Sequence, residues 1–278
     1  MTDDRPLTAG VVGWPVTHSR SPRLFDHWFA RTGVPGRYVP LAVRAEDFAE
    51  VYRALPRTGL RGVNVTLPHK TAALRLAHTA TPTARAIGAA NMIRFDPDGA
   101  VHADNTDAYG FLENLRAGAP GWRGDAGPAV VLGAGGAARA LIHALQTEGA
   151  PEIRLLNRTR ATAEALAAEF GAPVTVADWA TRSAALGGAR TVVNATSLGM
   201  TGGAPLDIGL DALPAGAVVT DIVYTPLETP LLTAARARGL TAVDGLGMLL
   251  HQARPAFRAW FGVDPVVDGA LRAACLEG

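Results

Sequence analysis

Cysteine is almost absent from this chain, since only Cys275 among 278 residues carries a thiol. No disulfide can therefore form within one molecule, which is typical of proteins kept in a reducing compartment. Long apolar runs are also missing, because no segment offers the roughly 18 consecutive apolar residues of a membrane-spanning helix. The N-terminal segment, MTDDRPLTAGVVGWP, lacks the basic stretch and apolar run of a secretion signal. We expect a cytoplasmic, unprocessed protein with no membrane partner.

An excess of charge of one sign is missing as well, because 26 Lys and Arg residues nearly balance 25 Asp and Glu residues. That balance provides no general attraction for a polyanion, so we expect no nucleic-acid partner. The seven histidines are scattered, without the two-ligand spacing of a helical metal site. The sequence therefore predicts no metal site.

The chain does contain a regular alternation of short, β-branched apolar runs with alanine-rich segments of helical period. This pattern predicts an α/β protein, and the length is enough for two domains of roughly 100 to 200 residues each. Ser21, followed by Pro22 in the first turn, should open a helix that Gly33 closes. The strand candidates, in chain order, are TAGVVG, GRYVPLAV, RGVNVTL, AANMIRF, AVVLGAGG, EIRLLNRT, PVTVAD, TVVNATS, AVVTDIVY and TAVDG.

The domain boundaries are expected near Asp107 and Gly245. The last six strands and their helices make a set of Rossmann size, which we place at residues 107–245. The final helical segment, LGMLLHQARPAFRAWFG, is apolar on more than one side and needs another packing partner. We expect it to return to the first domain, so that residues 1–106 and 246–278 form one discontinuous unit. Ligands would then bind in a cleft between the two domains.

A glycine-rich turn stands between a β-branched strand and an alanine-rich helix in AVVLGAGGAARALIHAL. Gly133, Gly135 and Ala138 have the G-x-G-x-x-A spacing of a dinucleotide-binding turn. Gly133 can make the tight turn, Gly135 lets a pyrophosphate approach the backbone, and the helix N-terminus offers free N–H groups. A plain turn that only joins strand to helix is the alternative. The cofactor-binding residues predicted here are Gly133, Ala134, Gly135, Gly136 and Ala137.

The next strand, EIRLL, ends in Asn157, Arg158 and Thr159, where an NAD-binding protein would carry an acidic residue for the ribose hydroxyls. Arg158 can lie along the adenine and contact a 2′-phosphate, while its two neighbours supply neutral hydrogen bonds. The sequence therefore favours NADP over NAD. In the plainer interpretation, Arg158 and Arg160 form a solvated helix start.

Polar clusters follow the apolar runs of the first domain, in HSRSP, NVTLPHK, AANMI and DNTDAYG. Together with GAGGAA, NRT, NATSLGM, YTPLETPLL and GLGMLLHQA, in this order, they resemble the motifs of the shikimate dehydrogenase family over nearly the whole chain. The resemblance implies an N-terminal α/β substrate domain and an NADP-binding Rossmann domain. It also implies reversible NADPH-dependent reduction of 3-dehydroshikimate to shikimate, a step toward chorismate and the aromatic amino acids.

The resemblance implies roles for individual residues of the first domain. Lys70 and Asp107 match the catalytic pair, in which the lysine stabilises a developing alkoxide and exchanges its proton, and the aspartate holds the lysine and a substrate hydroxyl. Simpler roles stay open, with Ser21 as a helix N-cap, Lys70 as a surface charge and Asp107 as a local cap. Ser19 has no such local role in the sequence. The implied substrate-binding residues are Ser19, Ser21, Thr66, Lys70, Asn91, Asp107, Tyr224 and Gln252.

The later motifs match residues at the nicotinamide end of the cofactor. Ile222 and Met248 could equally be core residues, because apolar side chains usually are. The residues implied for this end are Thr196, Ser197, Ile222, Gly245 and Met248.

Three positions depart from the common family pattern. Met92 stands where threonine is usual, Ala108 where glycine is frequent, and Thr162 where a second basic residue often follows NRT. The last departure weakens the expected grip on a 2′-phosphate, unless Arg160 compensates. Two alternatives stay open: a quinate/shikimate dehydrogenase with relaxed cofactor use, and a non-catalytic NADP-binding sensor. The sequence is compatible with a monomer or a homodimer.

Overall fold

The computed structural model describes residues 5–277, which form two compact units. The first unit holds the residues up to Asp107 and those from Leu249 onward, and the second is Ala108–Met248. The predicted α/β fold is confirmed, and most of the C-terminal helical segment groups with the first unit as expected. The binding roles assigned to the two units stay predictions.

The strands are β1 (Thr8–Gly13), β2 (Arg37–Ala42), β3 (Gly62–Val65), β4 (Thr79–Ala80), β5 (Met92–Phe95), β6 (Val101–Asp104), β7 (Ala129–Leu132), β8 (Ile153–Leu156), β9 (Val174–Val176), β10 (Thr191–Asn194), β11 (Val218–Asp221) and β12 (Thr241–Val243). The helices are α1 (Ser21–Thr32), α2 (Phe48–Ala54), α3 (Lys70–Leu76), α4 (Pro82–Ile87), α5 (Asp107–Gly118), α6 (Gly136–Thr147), α7 (Arg160–Phe170), α8 (Pro230–Ala237), α9 (Leu246–Phe261) and α10 (Gly269–Leu276). Within the described residues no helix is long and apolar enough to cross a membrane.

The sheet of the first unit has the strand order β2-β1-β3-β5-β6-β4. All its neighbouring pairs are parallel except those of β5, which runs antiparallel to both β3 and β6. The strands β4 and β6 were not predicted from the sequence. β4 has only two residues, and β6 reads VHAD, which carries too few apolar residues to stand out. They lie at one edge of the sheet, so the structure widens the predicted four-strand set to six.

The helix α1 begins at Ser21 and ends before Gly33, as predicted. Gly33 has φ +70°, the left-handed conformation that favours glycine, and its N–H donates to the carbonyl of Phe29. The apolar face of α1 joins an aromatic cluster. In this cluster Phe25 stacks on Tyr38 with ring centroids 3.8 Å apart, and the Phe25 ring lies 5.7 Å from that of Phe257 in α9. Aromatic side chains from α1, β2 and α9 thus form one core region of this unit.

Trp260 of α9 packs directly on the backbone of the same sheet. Its indole N–H donates to the carbonyl of Ile93 at 3.0 Å, and a side chain at Gly62 would come within 2.1 Å of that nitrogen. Glycine at position 62 is therefore needed for the close approach of helix and sheet.

The second unit is a six-stranded, all-parallel sheet with the order β12-β11-β10-β7-β8-β9. Counted from its own first strand, this is the order of the doubly wound dinucleotide-binding fold. All four residues of β7, AVVL, are buried, as expected for a strand covered by helices on both faces. The order reverses beside β7, so its carboxyl end lies at the topological switch point, where such folds bind ligands.

Candidate active site and cofactor site

A lysine and an aspartate from two helix starts meet in the first unit. Lys70 is the first residue of α3 and Asp107 the first residue of α5, and Lys70 Nζ lies 2.5 Å from Asp107 Oδ2. The two side chains are only 15% and 7% exposed. Lys70 is therefore not a solvated surface charge, and the carboxylate of Asp107 has a charged partner far away in the chain.

Asn91 adds an amide to this pair. Its Nδ2 donates to the second oxygen of Asp107 at 2.8 Å and lies 3.1 Å from Gln252 Oε1. Its Oδ1 accepts the backbone N–H of Thr106 at 2.7 Å. Three residues implied by the resemblance, Asn91, Asp107 and Gln252, are thus joined in one buried polar network with Lys70.

Thr106 was not among the predicted site residues, although it lies inside the DNTDAYG motif. Its hydroxyl donates to the carbonyl of Gln252 at 2.8 Å, which ties the start of α5 to α9. The neighbouring Asn105 accepts the N–H of Asp107 at 3.0 Å and donates to the carbonyl of Ala89 at 2.8 Å. Their position directly before Asp107 in the DNTDAYG motif was the signal that could have drawn attention to both.

The position of Ser21 at the start of α1 rules out one of the simpler roles left open by the sequence. It is the first helical residue of α1, and the N-cap position belongs to Arg20, so the N-cap interpretation of Ser21 is wrong. Its side chain is buried and hydrogen-bonds with Tyr38, whose hydroxyl donates to Asn64 Oδ1 at 2.8 Å. Burial raises the pKa of the Tyr38 phenol well above its usual value, so this hydroxyl stays protonated.

Asn64 links this chain of hydrogen bonds to the pair described above. Its Nδ2 donates to the carbonyl of Asn91 at 3.0 Å, so that Asn64 fixes the backbone of Asn91 as well as the phenol of Tyr38. The sequence contained no sign of the role of Tyr38, which looks like an ordinary strand tyrosine.

Ser19 has a local structural role that the sequence did not indicate. Its Oγ accepts the backbone N–H of Ser21 at 3.3 Å, a turn contact at the start of α1. Thr66 follows β3, where its own N–H donates to the carbonyl of Val12 at 2.9 Å. His69 stacks on Phe48 with ring centroids 4.2 Å apart and contacts the carbonyl of Val43, so it is a packing residue.

The glycine-rich turn of the second unit has the shape that a pyrophosphate requires. Gly133 has φ +104°, and a Cβ there would lie 2.8 Å from Thr196 Cγ2, so glycine is needed for the turn itself. Gly135 is the N-cap of α6, and an added Cβ would meet no atom within 4 Å. The open space before the N–H groups of α6 fits the diphosphate of a dinucleotide. Ala134, Gly136 and Ala137 complete this turn.

The segment after β8 presents an exposed arginine beside a helix start. Arg158 is exposed, and within residues 5–277 no carboxylate pairs with it, whereas Asn157 Nδ2 donates to the carbonyl of Thr159 at 2.9 Å. Arg160, the first residue of α7, instead pairs with Glu164 one turn later at 2.8 Å. Arg158 therefore fits a 2′-phosphate, while Arg160 already has a carboxylate partner.

The residues implied for the nicotinamide end follow β10, β11 and β12 in the second unit. Gly245 packs so closely on the second of these segments that a Cβ would lie 2.4 Å from the carbonyl oxygen of Ile222. Thr196 closes a turn with Asn194 at 2.7 Å, Ser197 is exposed, and Met248 is buried. Tyr224 is half-buried in this unit. No group of three or more His, Cys, Asp or Glu residues suited to a metal ion occurs in the described part of the chain.

Family models match three parts of the chain. The shikimate dehydrogenase substrate binding domain matches residues 11–93, the shikimate / quinate 5-dehydrogenase model residues 125–199, and the shikimate 5′-dehydrogenase C-terminal domain residues 245–275. The shikimate dehydrogenase (NADP(+)) of Dinoroseobacter shibae is 59% identical over 99% of both chains.

Two solved structures are similar over nearly their full length. Shikimate 5-dehydrogenase from Thermus thermophilus, in complex with NADP(H) and shikimate, has a TM-score of 0.85 at 38% identity, with 96% of this chain and 98% of that one covered. Quinate dehydrogenase from Corynebacterium glutamicum, in complex with NAD, has a TM-score of 0.90 at 31% identity, with 98% and 99% covered.

The doubly wound sheet, its glycine turn and the α/β unit beside it in sequence define a two-domain protein of the dinucleotide-binding class. Within that class, this chain belongs to the shikimate dehydrogenase family.

Proposed function

We propose that this protein is an NADP-dependent oxidoreductase that interconverts 3-dehydroshikimate and shikimate. Relatives that are 55–59% identical over nearly the whole chain are named shikimate dehydrogenase (NADP(+)). The observation that carries the chemistry is the buried contact between Lys70 and Asp107. Burying an ion pair costs desolvation free energy, and the proposed reaction gives this pair a use, because it places a cation beside the reacting oxygen.

When bound, NADPH supplies the hydride for the carbonyl carbon of the substrate. Reduction turns the carbonyl oxygen into an alkoxide, and the ammonium group of Lys70 stabilises that negative charge and donates the proton. In the reverse direction, the uncharged amine form of Lys70 accepts the proton of the shikimate hydroxyl and becomes the ammonium ion. Asp107 orients the lysine, because one of its oxygens contacts Lys70 Nζ at 2.5 Å.

Substrate orientation is assigned to the polar groups around this pair. Asn91 and Gln252 lie in the same network, which supports assigning their amides to ring hydroxyls near Asp107. Ser19, Ser21 and Thr66 would bind the substrate carboxylate and hydroxyls, with Ser21 held by Tyr38. Tyr224 is proposed as a further substrate contact.

The cofactor is assigned to the second unit, with its pyrophosphate on the N–H groups of residues 133–137. Arg158, Asn157 and Thr159 would bind the adenosine 2′-phosphate, because the segment after β8 offers a free guanidinium and no acidic side chain before Glu164. Thr196, Ser197, Ile222, Gly245 and Met248 would surround the nicotinamide end.

A quinate/shikimate dehydrogenase with relaxed cofactor use is the second candidate. Two observations favour it. One is the high structural similarity to the quinate dehydrogenase from C. glutamicum. The other is that Arg160 pairs with Glu164, so that its guanidinium is less available to a 2′-phosphate. Both candidates share Lys70 and Asp107, so only substrate and cofactor preference separate them.

The proposal is tested by mixing the purified protein with shikimate and NADP⁺ and measuring the change in absorbance at 340 nm. Parallel reactions contain NAD⁺ or quinate. We expect a strong signal only with shikimate and NADP⁺, whereas signals with quinate or NAD⁺ would favour the second candidate. A protein that stayed inactive in every reaction would contradict both.

The proposal includes a cytoplasmic location, since a chain with one cysteine suits a reducing compartment. It applies to a monomer or a homodimer, which sedimentation equilibrium would distinguish.

A further inference from the structure

Three of the residues proposed for the nicotinamide end lie in two irregular segments of the second unit. One segment follows β10 and carries Thr196 and Ser197, and the other follows β11 and carries Ile222. Loop residues bind a ligand well only when the surrounding structure holds them in the bound geometry. These two segments therefore need side chains that fix them relative to each other.

Asn194, the last residue of β10, organises the first segment. Its Oδ1 accepts two hydrogen bonds from Thr196, one from the backbone N–H at 3.0 Å and one from the hydroxyl at 2.7 Å. Its Nδ2 donates to the carbonyl of Leu198 at 3.0 Å. One fully buried amide thus closes the turn that presents Thr196 and Ser197.

Asp221, the last residue of the neighbouring strand β11, connects this turn to the second segment. Its Oδ1 accepts Asn194 Nδ2 at 2.9 Å and the backbone N–H of Val223 at 3.0 Å. Its Oδ2 accepts the hydroxyl of Thr229, the N-cap of α8, at 2.8 Å. The side chains of Asp221, Asn194 and Thr229 are fully buried, so no water replaces these bonds at the surface.

The backbone around Asp221 also contacts the other groups assigned to this end of the cofactor. The N–H of Ile222 donates to the carbonyl of Asn194 at 3.1 Å. Gly245 lies against the same peptide, since a Cβ there would be 2.7 Å from the carbonyl oxygen of Asp221. Asp221 therefore stands where the segments that carry Thr196, Ile222 and Gly245 converge.

We propose that Asp221, acting through Asn194, is a positioning residue that holds the nicotinamide half of the cofactor site in its binding geometry. This inference rests on the proposed function, because the roles of Thr196, Ile222 and Gly245 belong to it. Asp221 itself touches neither substrate nor cofactor. Its carboxylate unites three chain segments whose donors would otherwise be buried without a partner.

The test separates the two halves of the cofactor. NADP⁺ and adenosine 2′,5′-bisphosphate share the adenine and the 2′-phosphate, but the bisphosphate lacks the nicotinamide. Titration calorimetry would measure the affinity of the full-length protein and of Asp221→Ala for each. We expect Asp221→Ala to weaken NADP⁺ binding about tenfold or more and to leave the bisphosphate within about twofold.

Asp221→Asn is the conservative variant. Its side-chain oxygen can still accept from Asn194 and Val223, and its amide nitrogen can donate to Thr229, so affinity for NADP⁺ should return to within about threefold of the original. Thr191→Val is the matched control, because Thr191 is a buried β10 residue whose hydroxyl accepts Trp122 Nε1 at 3.0 Å. That variant loses a buried hydrogen bond at the far end of the strand and should change neither affinity.

If Asp221→Ala weakened the binding of NADP⁺ and of the bisphosphate equally, the inference would be overturned, since Asp221 would then support the fold in general. Unchanged NADP⁺ binding would overturn it as well. If Asp221→Ala does not fold, as judged by circular dichroism, Thr229→Val decides, because it removes one bond to Asp221 and should show the same selective loss at smaller size. Absence of that selective loss would overturn the proposal. Binding of the bisphosphate by the unaltered protein tests the cofactor site itself, and its failure would remove the proposed function and this inference together.

Discussion

Lys70 and Asp107 are among the most costly side chains for a protein to bury, and each would be unfavourable alone. Paired at 2.5 Å, with Asn91 bound to the second carboxylate oxygen, the two charges are mutually compensated. Such a pair adds little net stability, but it keeps an ammonium group oriented in a site from which water is largely excluded. At the scale of the residue, the site is built for charge stabilisation at one substrate oxygen.

Replacement of Lys70 by methionine should lower turnover on the order of a hundredfold or more, because the proton donor and the charge on the alkoxide are both lost. The substrate dissociation constant should change only a few-fold, as expected for an interaction made mainly in the transition state. Steady-state kinetics, with substrate binding measured separately by calorimetry, checks this expectation. Turnover close to that of the unaltered protein would remove Lys70 from the chemistry.

The burial of Asp221 leads us to expect that the free energy of unfolding depends on pH. Burial raises the pKa of its carboxyl above the usual value, although bonds from Val223, Thr229 and Asn194 oppose the rise. A carboxyl with a raised folded-state pKa contributes its stability below the unfolded-state pKa, and that contribution is lost as pH rises through the folded-state pKa. Each tenfold difference in acidity between the two states corresponds to about 1.4 kcal/mol.

Asp221→Asn should therefore be more stable relative to the original protein at pH 7 than at pH 4. Urea unfolding at both pH values measures the difference, and the comparison with the parent removes the contribution of other titrating groups. A difference in unfolding free energy that stayed constant from pH 4 to pH 7 would contradict the raised pKa.

Glu164 predicts a change in cofactor preference. Its carboxylate holds Arg160 at 2.8 Å, and it adds a negative charge near the proposed 2′-phosphate position. Glu164→Gln should strengthen NADP⁺ binding by roughly two- to fivefold, the size of an exposed ion pair, and leave NAD⁺ binding unchanged. Calorimetry with both dinucleotides at low and high salt checks this. Arg116→Gln, which removes an exposed pair with Glu148 elsewhere on this unit, is the control.

At the scale of the element, the turn between β7 and α6 divides two duties between two glycines. Gly133 is required by its own backbone, with φ +104° and Thr196 against it. Gly135 has ordinary backbone angles and open space around it, so only a ligand would need it to lack a side chain. The two positions therefore separate folding from binding.

Gly133→Ala should lower the unfolding free energy by about 1–3 kcal/mol, because alanine is strained in that conformation. Gly135→Ala should cost less than about 1 kcal/mol of stability but weaken NADP⁺ binding strongly, since its methyl group would occupy the place of the pyrophosphate. Thermal unfolding and calorimetry on both variants check the pair. Normal NADP⁺ binding by Gly135→Ala would contradict the assignment of the turn.

At the scale of the whole molecule, the chain leaves its first unit after Asp107 and enters it again at Leu249. The returning helix α9 completes the aromatic core and supplies Gln252 to the polar network around Asn91. Folding of the first unit thus depends on residues at the far end of the chain, and its core and its site are completed by the same helix.

Trp260→Ala should therefore destabilise the protein by about 3–5 kcal/mol, the usual cost of truncating a buried aromatic side chain. Trp260 is 4% exposed and bonded to Ile93, whereas Trp14 is 45% exposed, so Trp14→Ala should cost less than about 1 kcal/mol. Urea unfolding of both variants gives the comparison. Equal losses would show that α9 contributes less to the core than its packing indicates.

Much of this architecture could be predicted from local patterns. The six strands of the second unit, the helix that begins at Ser21 and the glycine turn at Gly133 all have periodicity or backbone requirements written in adjacent residues. The strands β4 and β6 could not be predicted, because a two-residue strand and a polar one are defined by their neighbours in the sheet.

Roles that depend on a distant partner were equally beyond the sequence. Tyr38 resembles any strand tyrosine until its hydroxyl meets Asn64, 26 positions later in the chain. Arg160 was left as a candidate for the 2′-phosphate, yet it pairs with Glu164, and Ser21 was left as a candidate N-cap, a position that Arg20 occupies.

The α/β class, the family and the preference for a dinucleotide could be inferred from the residues alone, because they depend on the order of short motifs and on local backbone chemistry. The hydrogen bonds between polar groups became known only from the folded chain, since they depend on distances between residues far apart in the sequence. Lys70 and Asp107, 37 positions apart, and Asn91 and Gln252, 161 positions apart, meet because the sheet and the returning helix bring them together. Burial then decides which of these contacts contribute most, because buried polar groups have no water to replace a lost partner.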